Sequence, residues 1–252
     1  MKIVRKLIYT LKQNPATDLE SIKKNFPDIR EEEFWDIYAL CRSFTMTSVE
    51  RMYSLYQAVG YIINNKLEGD LIECGVWKGG SAMLMATFLS NRKIYNRKLI
   101  LYDTYEGMSD PTEVDKDFNG VPAAKQLESS VKNDDSMIWC YSTFENVKEN
   151  LALTGFPPEN VMMIKGKVEE TIPSDIPSKQ IALLRLDTDW YKSTYHELEH
   201  LYPLLIKNGI LIIDDYGHWE GCRKAVDDYF DQSDSKPLMM RIDVTGRIVH
   251  KI

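Results

Sequence analysis

No run of this chain is apolar for the length of a membrane span. Its opening residues, Met1-Lys2-Ile3-Val4-Arg5-Lys6, are charged and lack the apolar stretch of a signal peptide, so the expectation is a cytoplasmic protein with no membrane partner. Cysteine is scarce. Cys41, Cys74, Cys140 and Cys222 lie far apart, without zinc-type spacing, and are expected to be reduced, mostly buried thiols. Positive charge is also short: a net charge of −7 speaks against the basic stripe of a nucleic-acid-binding protein. Internal repeats and low-complexity tracts are missing. What is there is a chain of 252 residues, 44% apolar and 27% charged, enough for one α/β domain with decorations or a domain plus a small cap.

Residues 1 to about 40 read as charged helices broken at Pro15 and Pro27. Glu31–Leu40 carries an aromatic helical face. Thr47 and Glu50 have capping-box spacing, and Val49, Met52, Tyr53, Tyr56, Val59 and Ile63 recur at helical intervals. Residues 1–65 are therefore expected to form a helical extension over a sheet domain of residues 66–252. In that domain, candidate strands Leu71–Val76, Leu99–Thr104, Val161–Lys165, Ile181–Asp187 and Ile210–Asp215 alternate with helices beginning near Ser81, Ser136, Ser193 and Gly221. Leu198, Leu201, Tyr202 and Leu205 mark the apolar face of the third helix, and Asn208-Gly209 reads as its stop. Apolar strands between helices predict an α/β fold with a mostly parallel sheet covered on both faces. Leu238–Val244 and Arg247–Lys251, joined by Thr245-Gly246, predict an antiparallel edge hairpin. The long acidic segment Met108–Pro122 has the character of a lid or binding loop.

Chemistry concentrates where strands end. In Leu71-Ile72-Glu73-Cys74-Gly75-Val76-Trp77-Lys78-Gly79-Gly80-Ser81 a strand meets a glycine turn and a helix start. Such a place holds a small anionic or zwitterionic ligand on backbone amides. The spacing is neither the dinucleotide fingerprint nor a P-loop, which argues against a nicotinamide oxidoreductase. Asp103 ends the second strand, either as an acceptor for ribose hydroxyls or as a turn acid. Asp187 ends the fourth strand and Asp214-Asp215 the fifth. If these strands are neighbours, three carboxylates converge and repel unless a proton or cation separates them. Hard oxygen donors in that number suit Mg²⁺; the plain alternative is solvated strand-end turns or helix caps.

With these motifs assembled, the chain resembles the macrocin O-methyltransferase (TylF/MycF-like) family of S-adenosylmethionine-dependent sugar O-methyltransferases. The resemblance runs from about residue 40 to 232. It rests on Thr45-Met46-Thr47-Ser48-Val49-Glu50-Arg51, Glu73 to Ser81, Tyr102 to Gly107, Leu186-Asp187-x-Asp189-Trp190-Tyr191-x-Ser193-Thr194, Ile213 to Gly217 and Gly221 to Asp227. It implies a Rossmann-like methyltransferase fold. Glu73, Gly75, Gly79 and Ser81 would then surround the methionine part of the cofactor, with Thr45 and Met46 folded over it. Asp103 would take its ribose, and the backbone at Gly166 and Lys167 its adenine. Mg²⁺ would sit on Asp187, Asp214 and Asp215. Thr188 departs from the family's glycine, and Lys167-Val168 from its frequent aromatics.

The expected reaction is methyl transfer to a sugar hydroxyl of a glycosylated natural product or polysaccharide precursor. Asp189 is the first choice of base and His218 the second. Their alternatives are a cap for the helix near Ser193 and a surface loop residue. Trp190, Tyr191 and Tyr216 either stack on a sugar or fill the core, and His196, His200 and His250 receive no role. A catechol-like acceptor and a non-catalytic cofactor-binding module are the rival readings. A homo-oligomer is expected from family habit and the apolar helical extension.

Overall fold

A computed structural model of the protein describes residues 18–133, 136–233 and 236–252. The first expected helix and its break at Pro15 lie outside the described residues. Among the described residues seven strands form one sheet: β1 (Asp70–Cys74), β2 (Leu99–Asp103), β3 (Val161–Lys165), β4 (Ile181–Leu186), β5 (Leu205–Ile213), β6 (Met239–Arg241) and β7 (Arg247–His250), in the order β3-β2-β1-β4-β5-β7-β6. β1 to β5 are mutually parallel, whereas β7 runs antiparallel to β5 and β6 antiparallel to β7. The expected α/β sheet and edge hairpin are thus present. Strand order reverses between β1 and β4, the place where such sheets open a crevice at the carboxyl ends of their strands.

Alternation along each strand feeds two apolar layers. Leu71, Leu99, Leu101, Leu183 and Ile212 face one core, while Ile72, Ile100, Tyr102, Leu184 and Leu211 face the other. Helices α2 (Glu32–Cys41), α3 (Val49–Asn64) and α4 (Gly80–Asn91) cover the first, following the short α1 (Leu19–Lys23). α4 is buried along nearly its whole length because α2 and α3 pack over it. Phe34 of α2 is fully buried, and its ring meets Trp35, Tyr38, Tyr53 and Tyr56. The opposite face is covered by α5 (Ala123–Glu128), α7 (Val168–Thr171), α8 (Tyr191–Leu201) and α9 (Glu220–Asp231), with α6 (Phe144–Ala152) packed beside α4. All four cysteines are free; Cys41, Cys74 and Cys222 are buried and Cys140 half-buried. No helix among the described residues is long and apolar enough to cross a membrane.

Three local expectations are corrected. Ser48, not Thr47, caps α3, accepting from the Arg51 amide at 3.1 Å, while Thr47 bonds back to Thr45. The helix expected near Ser136 begins at Phe144, capped by Thr143, because residues 136–142 are tied into a turn with Cys140 left-handed at φ 46°. Pro203 ends α8 earlier than expected, and Asn208-Gly209 falls inside β5, where Asn208 at φ 65° marks a register shift against β4. The segment Met108–Pro122, read as a lid or binding loop, is anchored at the start of α8. Asp115, fully buried, accepts from Thr112 and from the Tyr191 amide, and Ser109 O accepts from the Trp190 indole.

Phe34→Ala is expected to lower unfolding free energy by about 3–5 kcal/mol in urea titrations, since it opens a cavity shared by α2 and α3. A loss within about 0.5 kcal/mol, as at a surface site, would mean that α2 adds no shared core.

Candidate active site

β1 and β4 are locked together where they end. Gly75, at φ 83°, lies so close to β4 that a Cβ there would sit 2.0 Å from the Asp187 carbonyl oxygen. Only glycine fits both the backbone angle and the space. The Asp187 amide donates to Cys74 O at 2.8 Å, and the Gly75 amide to Tyr102 O at 2.9 Å. Asp103 acts as a turn acid in this structure. Its Oδ2 accepts from the amides of Val76 (2.6 Å) and Trp77 (3.1 Å), and its Oδ1 from that of Tyr105 (2.6 Å). The carboxylate therefore fixes the glycine turn to β2. Gly166 joins the same rim, its amide donating to Asp103 O at 3.0 Å, while the Lys167 side chain points outward, 46% exposed.

Gly79, at φ 89°, turns the chain into α4. A Cβ on Gly80 would fall 2.6 Å from Thr45 Cβ, so the Thr45-Met46 segment rests directly on the helix start. Ser81 is buried there, its hydroxyl 3.9 Å from Met52 Sδ. Glu73 does not face open space: it is 1% exposed, and its Oε1 accepts from Arg185 Nη1 at 2.6 Å. Its Oε2, like Trp77 Nε1 on the other side of Gly75, is buried without a partner. An orphaned acceptor and donor flanking the turn fit a zwitterionic ligand.

The strand-end acids do come together. Carboxylate oxygens of Asp187, Asp214 and Asp215 lie within 4.8 Å of one another. Asp215 also meets the Asp189 carboxyl. Burial, then the neighbouring aspartates, push Asp187 and Asp215 well above the usual carboxylate range, although Arg185 opposes this at Asp187. Burial raises Asp189 to about 7, and Glu73 to about 7 against the pull of Arg185. An all-oxygen set of this kind, with Asp187 still 26% exposed, fits a hard divalent cation. His218 stands apart: its ring packs against Phe118 and Trp219, and the charges acting on it are Asp117 and Arg51. Burial lowers its pKa.

Sequence reasoning missed the cations that hold these acids. Arg185, 2% exposed one residue before the end of β4, donates to Glu73, lies 2.8 Å from Asp187 Oδ2 and reaches Asp214 Oδ1 at 2.7 Å. Arg51 of α3 donates to Asp214 Oδ2, with its Nε 3.1 Å from Asp243 of the hairpin turn. A charged residue inside the otherwise apolar run Ile181–Leu186 was the available signal. Also missed was Glu197 on α8, fully buried and accepting from the Thr188 hydroxyl at 2.9 Å. Thr188 thus ties the loop between Asp187 and Asp189 to α8. Within that loop Asp189 is left-handed, at φ 68°.

The profile of the family described as "Macrocin-O-methyltransferase (TylF)" matches residues 2–251, beyond the 40–232 span of the sequence motifs. A demethyldecarbamoylnovobiocin O-methyltransferase of Streptomyces niveus is 30% identical over 202 residues, 80% of this chain and 73% of that protein. An 8-demethyl-8-(2,3-dimethoxy-alpha-L-rhamnosyl)-tetracenomycin-C 4'-O-methyltransferase of Streptomyces olivaceus is 33% identical with the same coverage. Among solved structures, the O-methyltransferase NovP superposes with a TM-score of 0.71 at 29% identity, covering 82% of each chain. The calicheamicin methyltransferase CalS11, at 19% identity and a TM-score of 0.59 over 97% of this chain and 90% of its own, shares the fold. The chain belongs to the macrocin-O-methyltransferase (TylF) family and is an S-adenosylmethionine-dependent O-methyltransferase.

Proposed function

We propose that this enzyme methylates a sugar hydroxyl of a glycosylated natural product or polysaccharide precursor, using Mg²⁺ held by Asp187, Asp214 and Asp215. The observation that carries this reading is the meeting of the β4 and β5 carboxylates beside the Gly75 turn. The tetracenomycin relative is named for a methyltransferase of a rhamnosyl compound, which supports a sugar acceptor. Residues 1–65 are read as a cap on the domain of residues 66–252.

S-adenosylmethionine supplies an electrophilic methyl group, and Mg²⁺, when bound, acidifies and orients a hydroxyl. The chain's own residues do the rest. Gly75 and Gly79 let the backbone turn tightly beside the ligand, Glu73 offers its free Oε2, and Thr45 and Met46, with Thr45 seated on the start of α4, close over it. Asp103 keeps lone pairs for ribose beyond those given to the turn amides, and the backbone at Gly166 and Lys167 borders the adenine. Asp189 receives the proton. Its carboxyl lies against Asp215, at the edge of the aspartate cluster, where a general base would be within reach of a hydroxyl held there. His218, turned toward Phe118 and Asp117, has the weaker claim.

Asp187→Ala and Asp214→Ala are expected to abolish Mg²⁺-stimulated transfer in a mass-spectrometric assay against candidate glycosides. Activity undiminished by EDTA would remove the metal from the scheme, and methylation of catechols alone would replace the acceptor class. Asp189→Asn should lower kcat by about 10²–10⁴-fold with cofactor affinity nearly unchanged; the same behaviour in His218→Ala instead would exchange the two roles. Glu197→Leu, which frees the Thr188 hydroxyl, is expected to reduce kcat by up to about 10²-fold through misplacement of Asp189. Glu197→Gln, still able to accept from Thr188, should recover most of it. Equal losses in the two variants, at equal thermal stability, would deny Glu197 a positioning role.

A further inference from the structure

The run His196-Glu197-Leu198-Glu199-His200 spells H-E-x-x-H on a helix, a pattern that in zinc peptidases places two imidazoles on one face and a general base between them. Here the glutamate in the base position, Glu197, is fully buried and bonded to Thr188, so hydrolytic chemistry is excluded. The two histidines are differently placed. They lie on the outer side of α8, with ring centroids 4.4 Å apart, and ligand atoms of His196, Glu199 and His200 all fall within 4.8 Å of one another. We propose that His196, Glu199 and His200 form a second metal site, selective for a borderline divalent ion such as Zn²⁺ and separate from the aspartate cluster.

Three features support it. His196 Nε2 lies 2.7 Å from Ile172 O. A carbonyl can only accept, so that nitrogen carries the hydrogen and Nδ1 keeps its lone pair. A backbone carbonyl fixing the far nitrogen is the usual support of a metal-bound histidine. His200 Nε2 and Glu199 Oε2 are 3.6 Å apart; a tetrahedral Zn²⁺ with arms of about 2.1 Å has edges of about 3.4 Å, so this pair is nearly in place. Finally, a cavity of about 380 Å³ is lined by His196 and Glu199 together with Glu169, Tyr191, Lys192 and Tyr195, and gives room for water at the remaining position. Donor chemistry separates the two sites. Imidazole selects Zn²⁺, Co²⁺, Ni²⁺ or Cu²⁺, whereas the all-carboxylate cluster suits Mg²⁺. An ion here would brace α8 between residues 196 and 200 and hold His196 against Ile172, just after α7.

The test is titration of the full-length, tag-free protein with Zn²⁺ at saturating Mg²⁺, by calorimetry, with Co²⁺ absorbance as the spectroscopic counterpart. One Zn²⁺ per chain is expected. His196→Ala and His200→Gln should each weaken its binding by at least about tenfold, and Asp187→Ala should leave it unchanged. Circular dichroism of the variants confirms that α8 is intact, and Cys140→Ser controls for thiol binding. Zn²⁺ affinity unaltered in the His196→Ala/His200→Gln double variant would overturn the proposal, as would binding lost in Asp187→Ala but retained in the histidine variants.

Discussion

Arg185 is the residue around which the site is organised. It lies within a strand buried on both faces, where an unpaired guanidinium would cost several kcal/mol. The cost is met by Glu73 from β1, Asp187 from its own strand end and Asp214 from β5. One side chain therefore spans three adjacent strands near the crevice. Arg51 extends the network to α3 and, through Asp243, to the turn of the edge hairpin, where Asp243 also takes the Ser48 hydroxyl at 2.6 Å. Buried ion pairs are weak sources of stability, because desolvation offsets most of their attraction. Their value here is positional: each carboxylate is held by a donor whose own place is fixed by the sheet.

The charge count around this network is unequal. Glu73, Asp187, Asp189, Asp214, Asp215 and Asp243 are six acids, while Arg51 and Arg185 are two cations. In a buried setting the excess must be relieved by protons or by a further cation. The raised pKa values of Asp187, Asp189 and Asp215 express the first route, and the oxygen-only donor set accommodates the second. Arg185 pairs with Glu73, Asp187 and Asp214 and Arg51 with Asp214 and Asp243, so the imbalance falls on Asp189 and Asp215, which with Asp187 are the more exposed members around the cluster. Charge deficiency is thus directed toward the crevice, where an incoming ligand can reach it.

The strands were legible because an apolar run buried on both faces admits few other readings, and the acids were legible because each closes such a run. What the sequence did not reveal is pairing. Nothing local says that Arg185 serves Glu73, 112 residues away, or that Arg51 reaches Asp214, 163 away. Asp103 shows the same limit from the other side: its position at a strand end was plain, but three backbone amides claim it, a demand created only when the Gly75 turn folds against β2. The end of α8 was misplaced because the apolar spacing continues through Leu205, although Pro203 had already ended the helix and Leu205 begins a strand.

Helix α8 shows how one element can serve two surfaces. Residues 196 and 200 share a face, and Glu197, about 100° further round the axis, points inward. That inward carboxyl meets Thr188, in a loop that must place Asp187 at the end of β4 and, two residues later, Asp189 against Asp215 in a left-handed conformation. A left-handed aspartate costs of order 1 kcal/mol or more and persists only where surrounding contacts hold it. A glycine at 188 would offer no side chain for such an anchor. With threonine there, the loop is tied to the helix that follows it. The geometry of Asp189 then depends on α8 remaining in place, and α8 is held in turn by Leu198 and Leu201 in the core and by the His196 bond to Ile172 on its outer side.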